Sequence, residues 1–385
     1  MNTVNGKGQT TWLVLIAFIA LSAWSLPAYA QKEAFFAQYK QYQQQVEALQ
    51  DEVSLAEQAT NLADLASDVF GATHVNTVNL TISAANHYRN AKLNDKALEL
   101  YDIALGLYKD SDNNNQEDFA RLLIDVLSVQ GNQLSIKDKT RLSDDLYDTL
   151  QDYFNDDKPT KDNVVFSLIM FNGLVESGNI TRRMRSLPSL SEDLVALADK
   201  LLTPNASVTV RAKFNAGRLF EARKRKSDAI KYYTSVIDII EDELEVDHPF
   251  ALSSHARLVG LYESTGKSDE ATKHCIAIGK MKPWDDNIEP TPLYRIPPRY
   301  PEKYGRKGKE GFAIIEFDIS PSGFVENPKL LETNGSLFGK SSIEVLSKWR
   351  YAPKVIDGKT VTAHGRKVRL DFTMNGKPKR KMQNT

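Results

Sequence analysis

The sequence predicts a two-domain protein, an all-α body of paired helices followed by a small α+β domain. Three observations predict it. Three stretches of the body repeat one spacing of small and bulky apolar residues at helical intervals. The last quarter of the chain switches to period-two alternation, as in Ile315-Glu316-Phe317-Asp318-Ile319. A stretch with Pro290, Pro292, Pro297 and Pro298 divides the two patterns, and the charge divides near the same place. Residues 291–385 carry 19 Lys and Arg against 9 Asp and Glu, so this +10 segment leaves −11 for the rest of a chain whose net charge is −1. An acidic body with a basic head points either to internal docking or to an acidic partner; two separately solvated surfaces would show the same division. The 385 residues suffice for two or three sizeable cores.

The elements follow in order. Lys7, the uncharged run Trp12 to Leu26 and the small-x-small sequence Ala28-Tyr29-Ala30 have the form of a secretory signal, with cleavage before Gln31. The 15-residue run is short for a spanning helix. The alternative is an uncleaved inner-membrane anchor. Gln31 stands where a bacterial lipoprotein would need Cys. Residues 31–285 are expected to be helical. Glu33 to Ala66 reads as a long Gln-rich amphipathic helix with Phe36, Tyr39 and Tyr42, followed by another helix.

Three segments then align: Ala84, Ala85, Tyr88, Ala97, Tyr101, Ala104; Ala216, Gly217, Phe220, Ala229, Tyr233, Val236; and Leu258, Val259, Tyr262, Ala271, Cys275, Ile278. Small residues let antiparallel helices approach closely, and aromatics fill the groove between pairs. Ala97, Ala229 and Ala271 are the expected close-contact positions. This pattern resembles tetratricopeptide repeats, with Pro283 as a helix-ending proline, and the resemblance implies an α-solenoid that holds a protein or peptide partner. The region 117–202 is also periodic but does not fit the motif; turns are expected at Gly131-Asn132, Asp156 to Pro159, Gly178-Asn179 and Pro204-Asn205. Cys275 is the single cysteine, which excludes an intramolecular disulfide, and its place on a helix face predicts burial.

Residues 286–298 read as a short stiff linker, residues 299–376 as the α+β domain, and residues 377–385 as a basic flexible tail. In the domain, Ile315, Phe317 and Ile319 give a strand one apolar face. Ser320-Pro321-Ser322-Gly323 makes a turn into a second strand, Phe324 to Leu331, which Pro328 confines to an edge or bulge. Phe338, Ser342, Val345, Leu346 and Trp349 form a stripe on a helix from Leu337 to Lys348. Pro353 prevents its continuation. A closing strand, Arg366 to Met374, puts Val368, Leu370, Phe372 and Met374 on one face and Lys367, Arg369, Asp371 and Thr373 on the other.

The series Arg299-Tyr300-Pro301, Glu310-Gly311, strand, turn, helix and Trp349-Arg350-Tyr351-Ala352-Pro353 resembles the C-terminal domain of the TonB family. Trp349 and Tyr351 are its structural landmarks. The resemblance implies a periplasmic protein that binds a TonB-dependent outer-membrane receptor, or a similar protein, by adding a strand of the partner to its sheet in nutrient or iron-complex uptake. Arg295, Arg299, Tyr300, Pro301 and the strand residues Arg366, Lys367, Val368, Arg369, Leu370, Asp371, Phe372, Thr373 and Met374 are the partner-binding residues so implied. Two features depart from that family. Its energy-transducing members have a membrane helix with a His, and Trp12 to Leu26 has none; they also have a Pro-rich rod where this chain has helical repeats. The alternative is a periplasmic scaffold that assembles partners on its repeats without transducing energy.

No chemistry-bearing motif is present. Gly305 to Gly311 lacks the flanking strand and helix of a phosphate-binding loop. There is no Gly-x-Ser-x-Gly elbow. His74, His87, His248, His255, His274 and His364 show no metal-ligand spacing and are read as structural or surface residues. No enzyme activity, cofactor, metal or nucleic acid is expected.

Overall fold

The computed structural model describes residues 28–49, 51–110, 115–129, 134–154, 159–243 and 248–374. The predicted signal segment, except Ala28 to Ala30, lies outside them, as do Gly131-Asn132, Asp156 to Lys158 and the basic tail. The chain divides into two compact units, residues 1–185 and 186–385.

The first unit holds seven described helices: α1 (Ala28–Glu47), α2 (Glu52–Phe70), α3 (Val75–Asn90), α4 (Asn94–Lys109), α5 (Gln116–Ser128), α6 (Ile136–Phe154) and α7 (Lys161–Ser177). Several of their starts follow from capping chemistry. The Asp51 carboxylate accepts from the Ser54 amide, and Thr160 with Asn163 forms a capping box. Gly178, at φ 71°, ends α7 in the left-handed conformation, so the Gly178-Asn179 turn falls where expected. The aromatic face of α1 is displaced from the sequence reading. Phe35 and Tyr42 are buried, while Phe36 is 55 % exposed. Helix α7 is buried around most of its circumference, through Val164, Phe166, Leu168, Met170, Phe171 and Leu174, because it packs on both α5 and α6. A helix covered on several sides shows no single stripe. That is why Lys161–Ser177 shows no one-faced pattern in the sequence.

The second unit begins with five helices: α8 (Leu187–Leu201), α9 (Ser207–Ala222), α10 (Lys226–Glu243), α11 (Pro249–Glu263) and α12 (Ser268–Met281). The three aligned segments are the helix pairs α3–α4, α9–α10 and α11–α12. Of their eighteen motif residues only Tyr262 is not fully buried, and Ala97, Ala229 and Ala271 are inaccessible to solvent. The pairs share one turn. Four residues after each aromatic, Lys92, Lys224 and Gly266 take φ of 62°, 61° and 75°. The next amide, of Leu93, Arg225 or Lys267, donates to the carbonyl of Tyr88, Phe220 or Tyr262, each at 2.9 Å. Gly217 shows why the small positions are small: a Cβ there would lie 2.7 Å from the Tyr233 ring.

The α+β part of this unit comprises α13 (Glu302–Gly305), β1 (Gly311–Ile319), β2 (Val325–Thr333), α14 (Ser336–Leu346), β3 (Lys354–Ile356), β4 (Lys359–Val361) and β5 (Ala363–Phe372). An antiparallel sheet in the order β2-β1-β5 is covered on one face by α14. Ile315, Phe317, Phe338, Leu346, Trp349 and Phe372 fill the core between them. The expected turn forms, with the Gly323 amide donating to the Ser320 carbonyl at 2.9 Å and Gly323 at φ 81°. The hairpin β3–β4 turns through Asp357-Gly358, both at positive φ. Three boundaries differ from the sequence reading. The helix ends at Leu346, two residues short of Lys348. The second strand starts at Val325 and extends to Thr333. The closing strand is Ala363–Phe372, so Thr373 and Met374 lie beyond it, and Met374 is 52 % exposed rather than part of the apolar face.

The proline-rich segment is not a free linker. The amides of Leu293 and Tyr294 donate to the Arg350 carbonyl at 2.8 and 3.3 Å, and the Arg350 amide donates back to the Tyr294 carbonyl at 3.0 Å. Trp349 Nε1 donates to the Ile296 carbonyl at 2.9 Å. The segment read as a stiff linker is instead tied down, because Trp349 and Arg350 use its backbone as their hydrogen-bonding partner.

Candidate functional site

Two features of the second unit bear on function: the open edge of the sheet, and the attachment of the sheet to the last helix pair.

The sheet has two edges, and they are unequal. On β2, Asn327 stands at φ 50°, Pro328 lacks an amide hydrogen, and the register to β1 shifts twice. Such an edge is a poor template for another strand. On β5, pairing with β1 is continuous from Arg366 with Phe317 to Phe372 with Gly311. The Lys367 amide points away from β1, because it donates to Glu289 Oε2 at 3.0 Å. Strand geometry then places the N–H and C=O groups of Arg369 and Asp371 along the same outer edge. Among the described residues no strand pairs with it.

The side chains of this strand sort differently from the partner-binding set expected above. Leu370 and Phe372 are buried in the core and Val368 packs against it, and the backbone groups of all three face β1, so they support the edge without presenting a group to a partner. Lys367 is exposed. Arg369 lies 4.0 Å over the Phe312 ring and is paired with Asp371 at 2.9 Å, so its charge is already matched. The Met374 amide donates to Glu310 at 3.0 Å. Tyr300 is a packing residue: its ring meets Phe338 and Phe372 edge-on, and its hydroxyl donates to the Lys309 carbonyl at 2.8 Å. Pro301 caps α13, while Arg295 and Arg299 are exposed.

The attachment centres on Arg350, which sequence reading treated only as a member of the Trp-Arg-Tyr series. Its side chain is 1 % exposed. Nη1 donates to the Glu263 carboxylate at the end of α11 and to Ser268 Oγ at 3.2 Å. Nη2 donates to Thr272 Oγ1 on α12 at 2.7 Å and to the Ser322 carbonyl at 2.9 Å. The Phe324 ring lies 3.7 Å from the guanidinium carbon. Backbones approach closely beside it: a Cβ on Gly279 of α12 would sit 2.6 Å from the Pro353 carbonyl oxygen. The α+β domain is therefore bolted to the last helix pair through a buried ion pair. Cys275 lies in the same seam, buried, its thiol pushed up to about 11 by burial. No sequence signal marks Arg350 for burial, because its partners on the helix pair are 78 to 87 residues away.

A second cluster was also missed. His255 Nδ1 and His274 Nδ1 are 2.8 Å apart, and His255 Nε2 is 3.2 Å from Glu241. Both histidines titrate below the usual value through burial, His274 at about 4. The pair is consistent with one shared proton: His255 donates to Glu241 through Nε2 and accepts from His274 through Nδ1. Among the described residues no group of three His, Cys, Asp or Glu could hold a metal ion, and no helix is long and apolar enough to cross a membrane.

Comparison with known proteins places the sheet domain. The family described as the Gram-negative bacterial TonB protein C-terminal region matches residues 296–374. Protein TonB of Pseudomonas aeruginosa is 32 % identical over 85 residues, which is 22 % of this chain and 24 % of that protein. The chain thus spans about a quarter of that relative's length. The solution structure of the P. aeruginosa TonB C-terminal domain is 26 % identical and covers 24 % of this chain and 94 % of its own, with a TM-score of 0.21. A Podosopora anserina protein of nearly identical TPR-like repeats is 14 % identical and covers 63 % of this chain and 91 % of its own, with a TM-score of 0.30. Residues 296–374 are a TonB C-terminal domain.

Proposed function

We propose that the chain is a periplasmic interaction protein whose C-terminal domain takes up an extended segment of a TonB-dependent outer-membrane receptor as a strand added to β5. The observation that carries this reading is the inequality of the two edges. β2 is spoiled by Pro328, the positive φ of Asn327 and two register shifts, whereas β5 offers Lys367, Arg369 and Asp371 in a regular row. Main-chain hydrogen bonds to such a row supply affinity, and side-chain pockets beside it supply selectivity. In this reading residues 1–30 are a cleaved export signal, Lys367 and Arg369 flank the guest, Arg295 to Pro301 run near it, and the helical repeats of residues 31–285 bind a second protein or peptide. The test is an NMR titration of the full chain with peptides from the N-termini of TonB-dependent receptors. Amide shifts centred on residues 366–374 support it. No shifts at millimolar peptide, or shifts confined to α14, overturn it.

A scaffold without energy transduction is the second reading, and the buried Arg350–Glu263 pair favours it. A head fixed to a helical repeat cannot extend on a flexible rod. N-terminal sequencing of the mature protein tests whether the chain can transduce energy. A start at Gln31 favours the scaffold or accessory role, and an intact Met1 in the inner membrane favours a transducer.

A further inference from the structure

The half of the β5 edge nearest Ala363 is not empty; the chain's own segment 284–289 lies against it. The Glu289 carboxylate accepts the outward amide of Lys367 at 3.0 Å, the place a guest carbonyl would take. The Asp286 carbonyl accepts from Arg366 Nη1 at 3.1 Å. The segment is held at its other end. Asp286 Oδ2 meets Lys354 Nζ at 2.7 Å, and Oδ1 accepts from Trp284 Nε1 at 2.9 Å, with the Trp284 ring packed on the domain core. The Lys354 contact, more than any other, keeps the Asp286 carboxyl below its ordinary range. Asp285 folds the intervening turn by accepting from the Asn287 amide at 2.8 Å.

These contacts are specific but shallow. Asp286 and Glu289 are exposed, and Ile288 is 65 % exposed. Exposed ion pairs and single hydrogen bonds of this kind are individually weak and readily exchanged. A segment that fills one backbone position of an edge with a carboxylate, rather than with a strand, protects the edge without closing it.

We propose that residues 284–289 are a built-in competitor for the partner strand: Glu289 occupies the Lys367 position of the β5 edge and must be displaced before a guest can pair along its full length. This rests on the strand-addition reading above. Displacement frees Arg366 and Lys354, which Asp286 now engages, so the incoming segment is favoured when it brings an acidic side chain to this end of the edge. With the strap in place a guest can pair only from Arg369 onward, a shorter and weaker register.

The experiment uses the full chain and the variant Glu289→Ala, titrated by NMR with the same receptor N-terminal peptides. Amide hydrogen exchange at Lys367 is measured without peptide. The variant is expected to bind about two- to tenfold tighter, the worth of one hydrogen bond. Its footprint should extend back to Arg366 and Lys367, and the Lys367 amide should exchange faster than in the wild type. Glu289→Gln, which keeps an acceptor oxygen, should fall between the two. Equal affinities with the same footprint overturn the competitor and leave strand addition standing. Unchanged exchange at Lys367 overturns the contact itself. Absence of binding by both proteins overturns strand addition and the competitor together.

Discussion

Glu263→Gln is the sharpest test of how the sheet domain is attached. The substitution keeps size and an acceptor oxygen for Arg350 Nη1 but removes the counter-charge. Arg350 remains 1 % exposed, with Ser268, Thr272 and the Ser322 carbonyl as neutral partners and Phe324 over its face. A buried cation deprived of its partner costs about 3–5 kcal/mol. For a unit of this size, each 1 kcal/mol lowers the midpoint by roughly 2–4 °C, so the melt should fall by about 6–20 °C. Arg350→Met removes the charge instead of stranding it, and the double variant should recover part of the loss. The cycle should give a coupling of about 1 kcal/mol or more. Denaturant melts of all four proteins supply the values, and cleavage within 284–298 should quicken in Glu263→Gln as the seam loosens. A single variant within about 0.5 kcal/mol of wild type, or strictly additive effects, would refute the latch.

Three other outcomes are expected. Gly217→Ala, which drives a Cβ to within 2.7 Å of the Tyr233 ring, should lower stability by about 1–3 kcal/mol in a urea melt; an unchanged midpoint would show that the helix pair yields freely. Acid should weaken the second unit through His255 and His274, which face Glu241, Glu270 and Lys273. Their folded values lie below the unfolded value near 6.5, so the unfolded chain binds more protons; stability is full above that value and falls as pH drops towards about 4, by no more than about 1.4 kcal/mol per pH unit for each histidine. His274→Gln should flatten that slope in melts taken across the window. Cys275, buried and with its thiol raised to about 11, should resist a thiol reagent at pH 8 until the unit unfolds; labelling of the native protein at the rate of a free thiol contradicts its burial.

What the sequence by itself determined was local. Spacing of small and aromatic residues placed the helix pairs, because a close helix contact needs Ala or Gly at one position and a ring at another. Alternation placed β1 and the core half of β5, and Pro328 marked β2 as an interrupted edge before its bulges were visible. Resemblance over residues 299–376 supplied the domain type. Tertiary structure alone decided three things. It buried Arg350 against Glu263, Ser268 and Thr272, a pairing that no local pattern encodes because each of these residues would look equally at home on a surface. It turned the proline-rich stretch from a spacer into a backbone partner for Trp349 and Arg350. It laid Glu289 on the Lys367 amide. In each case the deciding interaction joins groups from separate elements, and polar groups take the partner that burial leaves them, which only the assembled chain specifies.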